Sequence, residues 1–396
     1  MTGKKHEQES STPSEKKHKR RGHGEGSIYL RKDGRWGADI TLENGNRKTF
    51  YGKTRKEVAD KLITALQEQK QGTLITAPQQ TVASFLLSWL ELKKREVKEG
   101  TYCYYKYNIE CHIIPHIGGF KLQKVTSAHI QQMYTEWLKE LKPNTVHLIH
   151  GMLRAALDQA VKLKKISSNP CRDVTPPRVE KREIPFLDEE QAQALLAALR
   201  KSWMIAGLIP LAIATGMRRG EMLALNWSDI DFEKKTVTVS KSLAYHDVDG
   251  TGKKYKIETP KTASGRRVIP LPDFALDALK AHRAEQLQHR VAAQKWEYPH
   301  LVFTNSTGGY YWFKILAEQF RAILQDAGLP PMPFHGLRHS AATILLAMGV
   351  DPNTVKQRLG HADIRTTLGT YGHVTQSMQD SATGKLDREF RHSETF

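Results

Sequence analysis

The sequence predicts a multidomain protein: a small three-stranded β-sheet plus helix, then an all-α domain, then an α+β domain that is mostly helical with a small antiparallel sheet. Three observations predict this order. The chain has 396 residues, more than the roughly 100–200 typical of one domain. Hydrophobic spacing changes from period two to helical spacing after residue 54. Residues 71–80 contain Gly72, Pro78 and polar residues, and residues 175–185 contain three prolines and several charges; both compositions are typical of linkers.

Composition and charge restrict the function. Sixty Lys and Arg residues against 42 Asp and Glu give a net charge of +18, which attracts polyanions such as nucleic acid or an anionic membrane. The most apolar stretch, residues 203–217, has 15 residues and falls short of the roughly 20 needed to cross a bilayer. No apolar signal segment begins the chain, and its three cysteines form no CxxC pair. We therefore expect no membrane partner and a reducing, cytoplasmic location.

Residues 1–25 lack apolar spacing and predict a disordered tail, whose basic run at residues 16–21 is more typical of solvated charge than of a dedicated nucleic-acid arm. Residues 26–72 predict a three-stranded meander followed by a helix. Asp33-Gly34 and Asn44-Gly45 are strong hairpin signals because both tolerate positive φ. Thr54 and Glu57 predict a capping box that opens a helix to about residue 70.

One face of this sheet is basic. Trp36, Ala38, Ile40 and Leu42 share the face predicted to pack on the helix. A small basic sheet can enter a major groove of DNA, although charge on an exposed sheet face is also the ordinary way to keep it soluble. The candidate DNA-binding residues of the opposite face are Arg31, Arg35 and, depending on register, Arg47 or Lys48.

Residues 81–174 predict a domain of four or five helices. Val82, Phe85, Leu86, Trp89 and Leu90 have helical spacing, which recurs after a predicted cap at Ser127. Thr101 and Asn144 are predicted to start two further helices, and the last is predicted to end at Asn169-Pro170.

A tyrosine cluster lies in this helical domain, at residues 102, 104, 105 and 107. Aromatic residues at this density more often pack in a core than bind a ligand. Because Lys106 interleaves with them, we keep Tyr105 and Lys106 as candidate DNA-binding residues.

Residues 186–396 predict the third domain and a C-terminal tail. Asp188 with Gln191 predicts a helix start, and a second, apolar helix leads to Thr215-Gly216. Residues 236–243 and 268–271 predict two strands, and from residue 276 the pattern is mostly helical. An apolar residue recurs every fourth position in the tail at 378, 382, 386 and 390, which predicts a short helix that needs a partner surface.

Four short segments of the third domain concentrate cationic and hydrogen-bonding side chains around one tyrosine. Each segment alone is a weak signal, but the four in this order are a strong one. The segments are Thr215-Gly216-Met217-Arg218-Arg219-Gly220-Glu221, Thr259-Pro260-Lys261-Thr262, His335-Gly336-Leu337-Arg338-His339, and Leu359-Gly360-His361 leading to Thr370-Tyr371-Gly372-His373.

This set resembles the tyrosine recombinase, or phage integrase, family, in which two arginines, a lysine, two histidines and a nucleophilic tyrosine break and rejoin DNA. The order agrees throughout: ATGxRxGE, PKT, HxLRH, LGH, and a tyrosine ten residues after that histidine. The upstream domains are similar, by pattern only, to the arm-site and core-site DNA-binding domains of integrases from phages and conjugative transposons. The resemblance implies these catalytic residues: Arg218, Lys261, His335, Arg338, His361 and the nucleophile Tyr371.

The residue types suit phosphoryl transfer. Guanidinium groups bind the nonbridging oxygens of a phosphodiester in bidentate fashion, so Arg218 and Arg338 form the candidate clamp. Positioned cations and donors can perform the electrostatic task that Mg²⁺ performs elsewhere, so we expect neither metal nor cofactor. Tyr371 needs that positive surround or a base such as His335, because a tyrosine with a pKa near 10 is barely ionised at neutral pH. Lys261 is the candidate acid for the leaving oxygen, and Glu221 the carboxylate that orients a guanidinium.

Several residues compete for these roles. Arg219 could replace Arg218, and Lys253, Lys254 or Lys256 could replace Lys261, which only the resemblance selects. His335 and His339 stand four residues apart, but the glutamate of an HExxH zinc motif is replaced by Gly336. The alternative nucleophiles are Tyr245, Tyr310 and Tyr311.

We therefore expect a site-specific DNA recombinase that acts through a covalent 3′-phosphotyrosine intermediate. The resemblance implies double-stranded DNA attachment sites, a homo-tetramer on DNA, and an excisionase or DNA-bending protein as a further partner. It also suggests that the C-terminal tail is exchanged between protomers; the alternative is a tail that packs on its own domain or is disordered. The alternatives are a type IB-like topoisomerase, which relaxes any supercoiled DNA, and a catalytically silent DNA-binding regulator, whose signature would be a missing catalytic residue.

Overall fold

The computed structural model describes residues 26–42, 45–72, 74–75, 78–179, 185–201, 203–247, 253–259, 265–360, 383–384, 386–387 and 390. The chain divides into two compact units, residues 1–179 and 180–396. The division falls inside the linker predicted at residues 175–185. Among the described helices, none is both long and apolar enough to cross a bilayer.

The first unit begins with the predicted meander. The strands are antiparallel in the order β1-β2-β3, and Gly34 and Gly45 adopt positive φ values of 80° and 79° in the two turns. Those angles are the reason that both turns carry glycine. The strands are β1 (Ser27–Leu30), β2 (Trp36–Thr41) and β3 (Arg47–Gly52).

A single helix, α1 (Arg55–Lys70), covers one face of this sheet. Its first turn is capped by Thr54, whose hydroxyl accepts from the backbone N–H of Glu57 at 3.2 Å, as predicted. The reciprocal half of the capping box is absent, because the Glu57 carboxylate accepts from Lys53 N–H at 2.9 Å instead. Ala38 and Ile40 are buried against the helix, which confirms the predicted inward face.

The helical part of the first unit has a separate core built from the predicted apolar faces. The last long helix ends at Lys162, so its predicted end at residue 169 is wrong: the backbone turns at Lys164, which has φ 53°. Thr126 rather than Ser127 caps the helix before it. The helices are α2 (Val82–Glu96), α3 (Glu99–Asn108), a π-helical turn (Ile109–Ile113), α4 (Ile114–Ile117), α5 (Ser127–Trp137) and α6 (Pro143–Lys162).

The second unit is mostly helical. The predicted capping box forms: Asp188 accepts from Gln191 N–H at 2.8 Å, and Gln191 accepts from Asp188 N–H at 3.2 Å. The apolar helix that ends at Thr215 is almost wholly buried and forms the centre of this unit's core. The helices are α7 (Glu189–Ala197), α8 (Trp203–Ala206), α9 (Leu208–Thr215), α10 (Arg219–Leu223), α11 (Asp273–Ala292), α12 (Phe313–Asp326), α13 (Gly336–Ala347) and α14 (Pro352–Leu359).

Two small antiparallel sheets accompany these helices, one in the order β4-β5-β8 and one formed by β6 and β7. The prediction of a single strand at residues 236–243 is therefore wrong, because this segment includes residues of both sheets. The break between them is two residues long, so the period-two pattern of buried Val237, Val239 and Leu243 continues through it. The strands are β4 (Ile230–Asp231), β5 (Thr236–Val239), β6 (Ser242–Asp247), β7 (Lys253–Glu258) and β8 (Arg267–Pro270).

Gly216 ends α9 and brings it against α14. Its φ of 61° lies in the left-handed region. A Cβ at this position would lie 2.3 Å from Cδ2 of Leu359, the last residue of α14. Glycine is thus required both for the backbone conformation and for the contact between the two helices.

Gly216→Ala should destabilise the protein more than Gly328→Ala. Both glycines follow a helix with positive φ, so each substitution adds roughly 1–2 kcal/mol of left-handed strain. Only Gly216 adds overpacking, at about 1–3 kcal/mol, because nothing lies within 4 Å of a Cβ at Gly328. Calorimetry should give a lower melting temperature for Gly216→Ala; equal losses would contradict the packing argument.

Candidate active site

One side of the Arg218 guanidinium is bound by the protein, and the other side is exposed. It follows Gly216 in extended backbone just before α10. Its Nη1 donates to Glu221 Oε1 at 2.8 Å, and its Nη2 donates to the carbonyl of Gly360 at 3.2 Å. The side chain remains 42% exposed. The guanidinium is therefore fixed by the protein and can still receive an anion.

Glu221 is the buried carboxylate of this site, with 3% of its side chain exposed. Oε2 accepts from Arg218 N–H at 3.0 Å and from Arg267 Nη2 at 2.9 Å. Burial raises the pKa of Glu221, but the hydrogen bond and charge of Arg267, and then Arg218, outweigh burial and hold the pKa below its usual value. The carboxylate is thus ionised, and the contact with Arg218 predicted from their spacing is present.

Arg338 lies in the first turn of α13 with 4% exposure. Its Nη1 donates to the carbonyl of Gly216 at 2.7 Å. Gly216 stands two residues before Arg218, so both candidate clamp arginines are attached to one short segment. Gly336, at the start of α13, allows a separate close approach, because a Cβ there would lie 2.9 Å from the carbonyl of Pro185.

His335 occupies the N-cap position of α13, and its ring lies edge-to-face with that of His339 at 5.2 Å. Partial burial, then the nearby His339, Arg338, Arg218 and Arg219, lower the pKa of His335 to about 4. The imidazole is therefore neutral at pH 7, and it binds a proton more weakly than an ordinary histidine does. Within the described part of this unit, neither histidine joins a group of three metal-binding side chains.

A cavity of about 520 Å³ opens beside these groups. Arg218, Arg219 and Arg321 give it a cationic wall, neutral His335 also lines it, and Phe334 contributes to its apolar lining. The guanidinium of Arg219, the residue that competes with Arg218, lies over the Phe313 ring at 3.9 Å from its centroid. Arg219 thus packs on an aromatic ring, whereas Arg218 is paired with Glu221.

Three candidate catalytic residues, Lys261, His361 and Tyr371, lie outside the described residues. Of the alternative nucleophiles, Tyr311 is 1% exposed and burial raises its pKa, both unfavourable for attack. Tyr245 is exposed, and its ring lies tilted against that of Tyr255 with 4.6 Å between ring centroids. Tyr311 therefore has a packing role, and Tyr245 contacts an aromatic neighbour on the surface.

Sequence reasoning missed Arg267. It stands at the start of β8 with a side chain that is 8% exposed and reaches Glu221. In the sequence it belongs to a Gly-Arg-Arg run at a strand start, where an arginine would ordinarily be solvated. No local pattern distinguishes it from its neighbour Arg266, which is exposed.

The register of the first unit's sheet separates two candidate DNA-binding residues. Arg47 pairs with Thr41 and lies on the outer face, whereas Lys48 pairs with Ile40 on the face that packs on α1. The ammonium of Lys48 donates to the carbonyl of Ile75, and burial lowers its pKa. Lys48 therefore does not belong to the basic outer face, because successive side chains of a strand point to opposite faces.

The outer face carries the remaining basic candidates. Arg31 and Arg35 lie over the ring of Tyr51, at 4.8 and 5.9 Å from its centroid. Both also pair with Asp33, at 3.5 and 2.8 Å. The two guanidinium groups are thus ordered side by side on the exposed sheet.

Tyr105 and Lys106 are half-buried in α3. The Tyr105 ring stacks on Trp89 with 5.5 Å between centroids, so it packs against the helical core. The exposed members of the tyrosine cluster are Tyr104 and Tyr107. Tyr105 therefore has the packing role that sequence analysis favoured for the cluster.

Arg218, the nearby buried Arg338, a buried carboxylate and a neutral histidine thus lie at or near one cationic cavity, an arrangement whose chemistry suits a phosphodiester. Comparison with known proteins agrees with this chemistry. Residues 185–378 match the phage integrase family, and residues 81–147 match the phage integrase N-terminal SAM-like domain.

Similar proteins and structures extend the comparison. A tyrosine recombinase XerC-like protein of Caldanaerobacter subterraneus subsp. tengcongensis is 31% identical over 88% of this chain and 94% of its own. The ICEBs1 integrase of Bacillus subtilis is 27% identical over 84% of this chain and 90% of its own. The Tn1549 transposon integrase in complex with a circular intermediate DNA has a TM-score of 0.64 at 22% identity, covering 77% of this chain and 99% of that one. A lambda integrase tetramer bound to a Holliday junction has a TM-score of 0.55 at 19% identity, covering 85% and 95%.

The chain belongs to the phage integrase family of tyrosine recombinases. It is therefore a site-specific DNA recombinase, and the solved structures share its multidomain fold.

The low pKa of His335 predicts a pH effect on stability. Between its ordinary pKa of about 6.5 and about 4, the unfolded chain binds a proton that the folded one does not. The contribution of His335 to the free energy of unfolding is therefore lost as the pH falls from about 6.5 to about 4. His335→Gln cannot titrate, so its melting temperature should fall less than the wild type's between pH 7 and pH 5. Parallel curves would contradict the shifted pKa.

Proposed function

We propose that this recombinase cleaves and rejoins DNA through Tyr371, with Arg218 and Arg338 binding the scissile phosphate. Arg218 and His335 line one cationic cavity, and Arg338 is bound to the carbonyl of Gly216, two residues before Arg218; this placement is the observation that carries the proposal. Arg218 is held by Glu221 but still exposed, as a group that must bind an incoming phosphate should be.

The proposed reaction is an in-line transesterification. The phenolic oxygen of Tyr371 attacks phosphorus, its proton passes to a base, for which His335 is the candidate because its imidazole is neutral, and the bond from phosphorus to the 5′ oxygen breaks. The products are a 3′-phosphotyrosine ester and a 5′ hydroxyl. Because one phosphate ester replaces another, the reverse attack by a 5′ hydroxyl needs no ATP.

Lys261 and His361 complete the proposed set. A deoxyribose oxygen leaves poorly as an alkoxide, so Lys261 would supply its proton, and His361 would donate a hydrogen bond to a nonbridging oxygen. Gly360, whose carbonyl accepts from Arg218, directly precedes His361 in the sequence. No step of this reaction calls for a metal or cofactor.

The proposed substrates are double-stranded attachment sites of a mobile element, which the enzyme integrates or excises in the cytoplasm. Relatives named as integrases of ICEBs1 and of phages support this choice. We propose that residues 26–72 bind arm sites, that residues 81–174 bind core sites, and that residues 186–396 catalyse recombination. A homo-tetramer on DNA is proposed from the lambda integrase tetramer, and an excisionase or DNA-bending protein as a further partner.

Tyr371→Phe should abolish the covalent protein–DNA complex while leaving DNA binding nearly intact, because it removes only the attacking oxygen. The measurement is a suicide substrate resolved on a denaturing gel, with a gel shift for binding. Tyr245→Phe is the matched control, since it removes the hydroxyl of an exposed tyrosine and should still form the complex. A covalent band from Tyr371→Phe would overturn the assignment of the nucleophile.

Arg47→Ala should weaken binding to a duplex from the element's ends, because Arg47 lies on the outer sheet face. Loss of one phosphate contact should reduce the slope of log affinity against log salt by about 1. Lys48→Met should leave that slope unchanged, since the Lys48 amine is directed to the Ile75 carbonyl. Fluorescence anisotropy at several salt concentrations measures both; equal changes would contradict the outer-face assignment.

A further inference from the structure

Arg267 has an unusually complete set of contacts for a residue outside the family's catalytic motifs. Its Nη2 donates to Glu221 Oε2 at 2.9 Å, its Nε to the carbonyl of Arg358 at 2.8 Å, and its Nη1 to that of Gly265 at 3.2 Å. All three guanidinium nitrogens are thus engaged, and the side chain is 8% exposed. A planar guanidinium bound in this way has one orientation.

Arg267 and Arg218 hold the same two parts of the molecule. Arg218 contacts the Glu221 carboxylate and the carbonyl of Gly360, just after α14. Arg267 contacts the same carboxylate and the carbonyl of Arg358, two residues earlier. Arg267 therefore fixes both groups on which the orientation of Arg218 depends.

Charge gives Arg267 a second effect. A buried carboxylate paired with Arg218 alone would form a neutral pair, and its negative charge would cancel much of the positive potential that Arg218 presents to the cavity. With two guanidinium groups on one carboxylate, the cluster has a net charge of +1. The exposed side of Arg218 thus remains positive toward the cavity.

We propose that Arg267 is a positioning residue for DNA cleavage: it binds Glu221 and the end of α14, and so aims the Arg218 guanidinium and leaves it charged for the phosphate. This inference rests on the proposed role of Arg218 as part of the phosphate clamp.

The first test compares two substrates that differ only in charge at the scissile linkage. A methylphosphonate replaces one nonbridging oxygen with methyl, so its reaction needs less cationic stabilisation. Arg267→Ala should lower the cleavage rate about 100-fold on the phosphodiester, as expected for a displaced catalytic group, but less than about 5-fold on the methylphosphonate, each relative to the wild type on that substrate.

The second test adds Glu221→Gln to Arg267→Ala. The neutral amide does not offset the positive charge of Arg218. The double variant also contains no buried carboxylate that has lost one of its two cations. The double variant should therefore cleave the phosphodiester about tenfold faster than Arg267→Ala alone, a coupling expected of residues in direct contact. A residue that served folding only would give a double variant as slow as, or slower than, the single one.

Arg358→Ala is the matched control. Arg358 is a half-buried arginine that also joins neighbouring elements, with Nη2 donating to the carbonyls of Ala214 at 2.7 Å and Pro270 at 2.9 Å. It should lower the melting temperature and affect both substrates equally. Should Arg267→Ala fail to fold by circular dichroism, Arg267→Lys replaces it, since lysine keeps the charge but loses the planar fork.

Arg218→Ala is the reference for the clamp itself. If its defect persists on the methylphosphonate, the clamp role of Arg218 is overturned, and the inference about Arg267 falls with it. If Arg218→Ala is rescued but Arg267→Ala is not, only the inference about Arg267 is overturned. Rescue of both, with recovery in the double variant, supports the proposal.

Discussion

The burial of one carboxylate organises the candidate active site of this recombinase. Removing Glu221 from water costs free energy that only close, well-oriented cations can offset. Two arginines from different elements meet that requirement, Arg218 before α10 and Arg267 at the start of β8. Because both also donate to carbonyls at the end of α14, the pairing of this charge fixes the relative positions of three elements.

Close backbone contacts make this arrangement possible. Gly216 allows Leu359 to lie where a Cβ would be and presents its carbonyl to Arg338. Gly336 similarly allows the start of α13 to approach Pro185. Steric constraints thus explain the glycines of the two arginine motifs. These glycines let the backbone segments come close, so that the cationic groups lie near one another. Burial of apolar surface does not by itself hold Arg338 in place, because a buried guanidinium also needs a polar acceptor.

Local sequence patterns predicted the structure correctly in some parts of the chain and incorrectly in others. Local chemistry predicted the starts of α1 and α7 and both hairpin turns of the first sheet, because caps and turns depend on a few adjacent residues. The i, i+3 spacing of Arg218 and Glu221 predicted their contact for the same reason. The end of α6 was missed, since Lys164 gives no signal for positive φ. The strand at residues 236–243 was misjudged because its pattern continues while the chain changes sheets.

The sequence by itself determined the family, and its motifs, charges and periodic patterns predicted the order of helices and strands and the residue types of the candidate active site. Tertiary structure decided which residues meet across it. Sheet register placed Arg47 outside and Lys48 inside, the stacking of Tyr105 on Trp89 gave that tyrosine a packing role, and the fold brought Arg267 to Glu221 across 46 positions. Such contacts depend on how distant elements pack, and a buried arginine reads in sequence like any solvated one.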